Sequence, residues 1–246
     1  MNTENKTVLV TGSGQGIGRV LALGLAERGW RVIVADLDGQ RAESVAAKAG
    51  GEAVTVDISS AESCREAAHL LQHEDVVLDG LVNNAALFST LTMKPFWEID
   101  EQEWDRVLRV NLTGTWQITT ALLPLLRRSA AASIVNIAAS AVWIGRSNYA
   151  HYVASKAGVI GLTYVMSREL ADDGIRANAL TPGSVRTEIP RHTITPEQVR
   201  AQVNAQNVQR PGTPEDLLGA VAFLLGPDSG FVSGQTLNVD GGLTVR

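Results

Sequence analysis

The stretch TGSGQGIG at residues 11–18, set between the apolar run 7–10 and a helical pattern from 16 onward, decides the fold. A strand, a glycine-rich turn and a helix in that order aim free N–H groups and the positive end of the helix dipole into the turn. Glycine also lets the backbone approach a pyrophosphate closely. The turn residues Gly12, Ser13, Gln15, Gly16, Ile17 and Gly18 are therefore candidates for holding a phosphorylated ligand. Their spacing differs from G-x-G-x-x-G, and the absence of a following Gly-Lys-Ser/Thr excludes a Walker-type loop. By itself such a turn can be only a turn, so the rest of the chain must decide.

Working outward, short apolar runs at 31–35, 53–56, 79–82, 133–137, 177–180 and 236–239 repeat the character of 7–10. Most are continuously apolar, as strands covered on both faces of a parallel sheet are. Helical patterns lie between them at about 16–29, 40–49, 60–73, 100–127, 149–172 and 214–225. Gly29, Gly50 and Gly174 punctuate helix-to-strand passages, and Asp100 with Glu103 reads as a capping pair. The alternation predicts a Rossmann-type α/β fold, a doubly wound seven-stranded parallel sheet flanked by helices. With no repeat or linker, residues 1–246 read as one domain. The exception to the rhythm is 184–213, rich in Gln, Asn, Thr and Pro, which reads as a lid over the carboxyl ends of the strands.

Composition narrows the function classes. A chain of 246 residues, 45% apolar, buries a core without staples, which excludes a disordered or disulfide-built protein. The net charge of −5 with no basic block argues against nucleic acid and anionic membranes as partners. One cysteine, Cys64, permits no intramolecular disulfide. No apolar run is long enough for a membrane span, and the first ten residues do not resemble a signal peptide. These features predict a cytoplasmic protein. His69 and His73 share a helix face near Cys64 but lack a further ligand at sensible spacing, so no metal site is expected.

Asp36 ends the second strand, where a carboxylate accepts both adenosine ribose hydroxyls and repels a 2′-phosphate. Its neighbours Leu37 and Asp38 add no base, so NAD is expected rather than NADP. Asp57, with Ile58, ends the third strand within reach of an adenine edge. In Asn83-Asn84-Ala85-Ala86, small residues let the fourth strand pass close to a ligand; Asn83 and Ala85 are the candidates there. Tyr152 and Lys156 stand at i and i+4, on one helix face. A phenol ionises near pH 10, and a neighbouring ammonium lowers that. Reaching neutrality takes about 4 kcal/mol of differential stabilisation.

These motifs, with Asn111 in RVNLTG, SIVNIAAS, TPGSVRT at 181–187 and the closing GQTLNVDGG, resemble the classical short-chain dehydrogenases/reductases over roughly residues 6–242. The resemblance implies hydride transfer between a nicotinamide cofactor and a secondary alcohol or ketone. It makes Tyr152 the general acid/base, Lys156 its tuner and a ribose ligand, and Asn111 the anchor of a relay water. Pro182, Gly183, Val185 and Thr187 would cover the nicotinamide, and a homotetramer is expected.

The sequence departs from the family at Ala86, usually glycine, and more seriously at Ala139. Counting back thirteen from Tyr152 puts Ala139 where the family has the serine that holds the substrate oxygen, with Ser140 one residue late. Three readings stay open: Ser140 reaches in, the protein is naturally impaired, or the serine was replaced deliberately. Candidates for the substrate pocket are Phe88, Met93, Ala139, Val142, Trp143, Tyr149, Ser184 and the lid residues Ile189, His192 and Ile194. Arg146 and Arg191 are the anion binders in reach. This set suggests a neutral ketone or secondary alcohol, with polyols and 3-oxoacyl thioesters as alternatives. A non-catalytic dinucleotide sensor is the rival from another class.

Overall fold

The computed structural model describes residues 6–190 and 195–245. Seven parallel strands form one sheet in the order β3-β2-β1-β4-β5-β6-β7. They are β1 Thr7–Thr11, β2 Arg31–Asp36, β3 Glu52–Thr55, β4 Gly80–Asn83, β5 Ser133–Ile137, β6 Arg176–Pro182 and β7 Thr236–Val239. The chain starts in the middle with β1, winds out to β3, crosses back to β4 and winds out to β7. The order therefore reverses between β1 and β4, and a crevice opens there at the carboxyl ends. Every residue of β1, β4 and β5 is buried, which accounts for their unbroken apolar character; the edge strands β3 and β7 are only partly covered.

Helices cover both faces. One core, around Val8, Val34 and Val135, packs α1 (Gly16–Ala26), α2 (Gly39–Ala49) and α8 (Glu215–Leu225) on the sheet. The other, around Leu9, Leu81 and Ile134, packs α3 (Ala61–His73), α5 (Gly114–Leu126) and α6 (Ala150–Glu169) on the opposite face. Gly50 closes α2 at φ +62° in the left-handed region that glycine alone adopts freely.

Two regions differ from the sequence expectation. The single helix expected over 100–127 is α4 (Glu101–Leu108), a π-helical turn at Arg109–Thr113 and then α5. Hydrophobic period does not register one extra residue per turn. Asp100 caps α4 by accepting from the Glu103 N–H at 2.8 Å. The Glu103 side chain, however, turns to Lys94 and His151 instead of closing the box. The second difference is the expected lid, which contains a helix, α7 (Pro196–Asn204). Thr195 and Gln198 start it with a reciprocal capping box. Its polar composition hid it, because little of it is buried. Arg191, His192 and Ile194 lie outside the described residues.

Candidate active site

A cleft of about 930 Å³ runs along the carboxyl ends of the strands, from β2 and β3 to β6. At one end the turn after β1 is shaped by close approaches. A Cβ on Gly18 would stand 2.2 Å from the Gly12 carbonyl oxygen, and one on Gly12 would meet Ala85 at 2.7 Å. Gly12 and Gly16 also hold φ of +62° and +59°. The Asn84 amide ties the turn to β4 by donating to the carbonyls of Thr11 and Gly12 at 3.0 and 3.1 Å. Sequence reading passed over Asn84 in favour of its neighbour. Asn83 is buried, donates to Thr119 and Asn136, and does not line the cleft.

Gln15, Gly16, Ile17, Asp36, Leu37, Asp57, Ile58 and Ala85 line this end as expected. Ser13 does not: its hydroxyl donates to the Val10 carbonyl at 2.6 Å and accepts from the Ala35 N–H, bracing β1 against β2. Gly18 likewise serves the packing of helix on turn. Asp36 accepts from the Gly14 N–H at 2.7 Å and the Asp38 N–H at 3.0 Å. Beside it stands Arg41, which the sequence argument missed because it lies inside α2. Its guanidinium is held by the Asp38 carboxylate at 3.0 Å and by the Gln15 side-chain Oε1 at 2.5 Å.

The helix N-terminus is occupied by an anion from the chain itself. Glu188 accepts from the Gly16 N–H at 2.9 Å and pairs with Arg19 at 3.3 Å. Partial burial pushes this carboxyl up. The Gly16 N–H, its own backbone N–H and the Arg19 charge together outweigh that and hold it below the usual carboxylate range. A turn that takes a carboxylate on its N–H groups, with no Cβ in the way, fits the pyrophosphate of a dinucleotide.

At the other end of the cleft Tyr152 and Lys156 project from α6. Lys156 Nζ donates to the Ile137 carbonyl at 2.7 Å, and burial lowers its pKa to about 8. The Tyr152 ring packs 4.5 Å from that of Phe88. Behind them His151, fully buried, accepts the Tyr152 N–H on Nδ1 at 2.9 Å and turns Nε2 toward Glu103 at 3.4 Å. Asn111 sits in the π-helical turn. Its amide oxygen accepts from the Leu87 N–H at 2.7 Å, and its nitrogen donates to Ser155 and the Leu87 carbonyl. The side chain is thus fully engaged and lies off the cleft wall.

The β5 register follows the sequence count. Ala138 packs toward Val159, Ile160 and Ala179, and Ala139 packs toward Tyr152, Tyr149 and Leu91. The methyl of Ala139 is therefore the group facing the phenol. Ser140 opens a 3-10 turn (Ser140–Val142) and also lines the cleft, as do Ser184, Pro182, Gly183, Val185, Thr187 and Ile189. Four pocket candidates point elsewhere. That turn sends Val142 and Trp143 back onto Ala138, Val159 and Ile160, where the indole N–H reaches Thr181 at 3.4 Å. Tyr149 is buried beneath Phe88 and supports the wall from behind. Met93 packs in the same cluster. Arg146, named from the sequence, lines the cleft, and so do Arg106, Ile144, Ala201, Gln202 and Leu243. Cys64 is buried, its thiol pushed up to about 11, and it packs behind Asp57 and Ile58 without lining the cleft itself.

The family model described as enoyl-(acyl carrier protein) reductase matches residues 12–244. The chain is 33% identical to 3-oxoacyl-[acyl-carrier-protein] reductase of Vibrio cholerae, covering 99% of both chains. It is also 33% identical to 5-keto-D-gluconate 5-reductase of Escherichia coli, over 98% of this chain and 96% of the other. Its structure superposes on that of 3-ketoacyl-(acyl-carrier-protein) reductase from Brucella melitensis complexed with NADH. The TM-score is 0.91, at 30% identity, over 99% of this chain and 100% of the other.

Proposed function

The chain belongs to the classical short-chain dehydrogenase/reductase family, and on that premise we propose that it is an NAD(H)-dependent oxidoreductase interconverting a secondary alcohol and a ketone of a small molecule. The observation that carries this reading is the convergence of Tyr152, Lys156 and the glycine turn on one cleft. A bound nicotinamide dinucleotide supplies or takes the hydride there. Gly12, Gln15, Gly16 and Ile17 would hold its phosphates, Asp36 with Leu37 its ribose, Asp57 with Ile58 its adenine, and Lys156 the second ribose. Pro182, Gly183, Val185 and Thr187 would lie over the ring. NAD is favoured over NADP because Asp36 is ready to accept hydroxyls while Arg41, the nearby cation, is already engaged by Asp38 and Gln15.

The chain's own part is proton handling. Tyr152 gives a proton to the carbonyl oxygen or takes one from the alcohol, and the Lys156 ammonium favours the ionised phenol. Lys156 keeps two N–H bonds to offer, since the Ile137 carbonyl takes only one. With the Asn111 side chain spent on Leu87 and Ser155, a relay water would meet its peptide carbonyl, which also accepts from the Thr115 hydroxyl at 2.9 Å. Ala139 offers the substrate oxygen no donor. Ser140, one residue along the same wall, is the substitute and a poorer one, so this chain is an impaired form of the catalyst.

Polyol or sugar reduction and 3-oxoacyl thioester reduction remain the second reading of substrate, supported by the names of the two curated relatives. Among the described residues no helix is long and apolar enough to cross a membrane, and a cytoplasmic location is proposed with it. Exposed Trp104, Trp116, Tyr164 and Val165 on α4, α5 and α6 support a homotetramer. The test is NAD-linked turnover of a panel of secondary alcohols, polyols and ketones, with Tyr152→Phe as control. Turnover lost at least a hundredfold in the variant, with NADH binding retained, is expected. NADH binding with no turnover by either protein would leave a dinucleotide sensor instead.

A further inference from the structure

Tyr152 stands in the first turn of α6, where backbone N–H groups have no carbonyl behind them in the helix. A capping side chain usually takes one of these orphans, but Tyr149 at the N-cap makes no such bond. The helix ladder starts at Val153, whose N–H reaches the Tyr149 carbonyl at 2.9 Å. The chain also enters α6 through Asn148 at φ +66°, in the left-handed region. The amide of the residue that bears the phenol therefore lies outside the ladder. It donates instead to Nδ1 of His151 at 2.9 Å. On its other side, the Tyr152 carbonyl accepts from the Ser155 hydroxyl at 2.8 Å, and Asn111 donates to that hydroxyl at 3.1 Å.

A backbone N–H can only donate, so Nδ1 of His151 accepts and carries no proton. The proton of the neutral ring is then on Nε2, which faces the Glu103 carboxylate at 3.4 Å. An imidazolium would set two N–H groups against each other at Nδ1. It would also bring positive charge to the positive end of the helix dipole. Glu103 is fixed in turn. It pairs with Lys94, which lies 3.7 Å from Asp100. The hydrogen bond from Lys94 holds the Glu103 carboxyl below the usual carboxylate range, against partial burial, and His151 adds to that. The loop that carries Lys94 is tied to the same helix entry, because the Lys94 N–H donates to the Asn148 carbonyl at 3.1 Å.

We propose that His151 is a positioning residue for the proton-transfer step: as the neutral Nε2–H tautomer, oriented by Glu103, it fixes the Tyr152 main chain and so sets the phenol against Lys156 and the substrate oxygen. This inference rests on the hydride-transfer reading of the Tyr152 site. His151 is fully buried and does not line the cleft, so it acts only through Tyr152. The effect is steep, since a misplacement of about 1 Å in such a site costs on the order of a hundredfold in rate. His151 adjoins Tyr152 in the chain, but only the fold brings Glu103 of α4 onto its far nitrogen.

The experiment uses two substitutions that divide the ring. His151→Asn keeps an acceptor where Nδ1 stands but does not reach Glu103. His151→Gln reaches Glu103 and leaves the Tyr152 N–H without its acceptor. Tyr152 ionisation is followed by tyrosinate absorbance with NAD present, as the difference between each protein and its Tyr152→Phe counterpart. The Gln variant is expected to ionise Tyr152 at a pH higher by roughly half a unit or more, because the phenol stands farther from Lys156, and the Asn variant to match wild type. For the best alcohol of the panel, kcat should fall at least about tenfold in the Gln variant and stay within about threefold in the Asn variant, with NADH binding unchanged in both. Titrations that coincide in all three proteins overturn the proposal. So does an Asn variant displaced as far as the Gln variant, since packing alone would then account for His151. Nitrogen-15 NMR of histidine-labelled wild type needs no variant to fold. The neutral Nε2–H form is expected for His151 at neutral pH, and the Nδ1–H form or the imidazolium overturns the proposal. Separated titrations with no turnover by any of the proteins sustain the hold of His151 on Tyr152 and break the hydride-transfer reading. Turnover with coincident titrations does the reverse.

Discussion

At the adenosine end of the cleft the geometry is held by main chain. Gly14 and Asp38 amides orient Asp36, the carbonyls of Thr11 and Gly12 fix Asn84, and left-handed glycines shape the turn. At the reacting end it is held by side chains, some local and some from distant elements: His151 on the Tyr152 amide, Tyr149 under Arg146, and Asn111 between Leu87 and Ser155. The first kind of construction tolerates few substitutions, because a Cβ at Gly12 or Gly18 would meet the neighbouring backbone. The second can be rebuilt one side chain at a time, and Ala139 stands at that end.

The sharpest way to press that contrast is to restore the hydroxyl. Ala139→Ser should raise kcat/KM for the best alcohol by tenfold to several hundredfold, since one donor to a reacting oxygen is worth about 10²–10³ and Ser140 supplies part of it. Equal activity would assign the whole duty to Ser140. Next in size is the protonation of Lys156. Burial lowers it from an ordinary 10.5 to about 8, so between those values the unfolded chain holds a proton that the folded chain lacks. Its contribution to stability therefore rises with pH across that window and is flat on either side, by about 3 kcal/mol at the upper limit. Thermal or urea unfolding from pH 7 to 11 should show wild type gaining on Lys156→Met; parallel curves would show the ammonium is solvated.

At the adenosine end, Asp36→Ser combined with Leu37→Arg should reverse the preference for NADH over NADPH, by roughly tenfold or more in the ratio of binding constants. An unchanged ratio would remove Asp36 from the ribose site and point to Arg41. The smallest effect concerns Glu188, whose carboxylate holds the Gly16 N–H that a pyrophosphate needs. Glu188→Gln is expected to tighten NADH binding about threefold to tenfold by calorimetry, because an anion no longer competes at the helix terminus. Weaker binding in the variant would mean that the contact serves to hold the loop.

Much of this molecule was legible in the linear chain. Seven buried runs, the glycine turn, Asp36 and the i, i+4 pair Tyr152 and Lys156 all rest on local rules: strand burial, glycine conformation and helix period. The same rules place Ala139 on the phenol side of β5, because successive strand residues alternate faces. Helix α7 was missed, since a capping box on a helix with little buried surface leaves no hydrophobic pattern. The π-helical turn at Asn111 was missed because the apolar period runs on through it.

What the sequence determined by itself was the sheet, the position of the cofactor turn and the identity of the reactive pair, because each depends on residues a few positions apart. Only the tertiary structure decided which way Trp143 and Tyr149 face, that Asn111 spends its amide on Leu87 and Ser155, and that Glu188 sits on the Gly16 amide. Those contacts join residues tens of positions apart. Close packing selects one side-chain direction among several that local rules leave equally open.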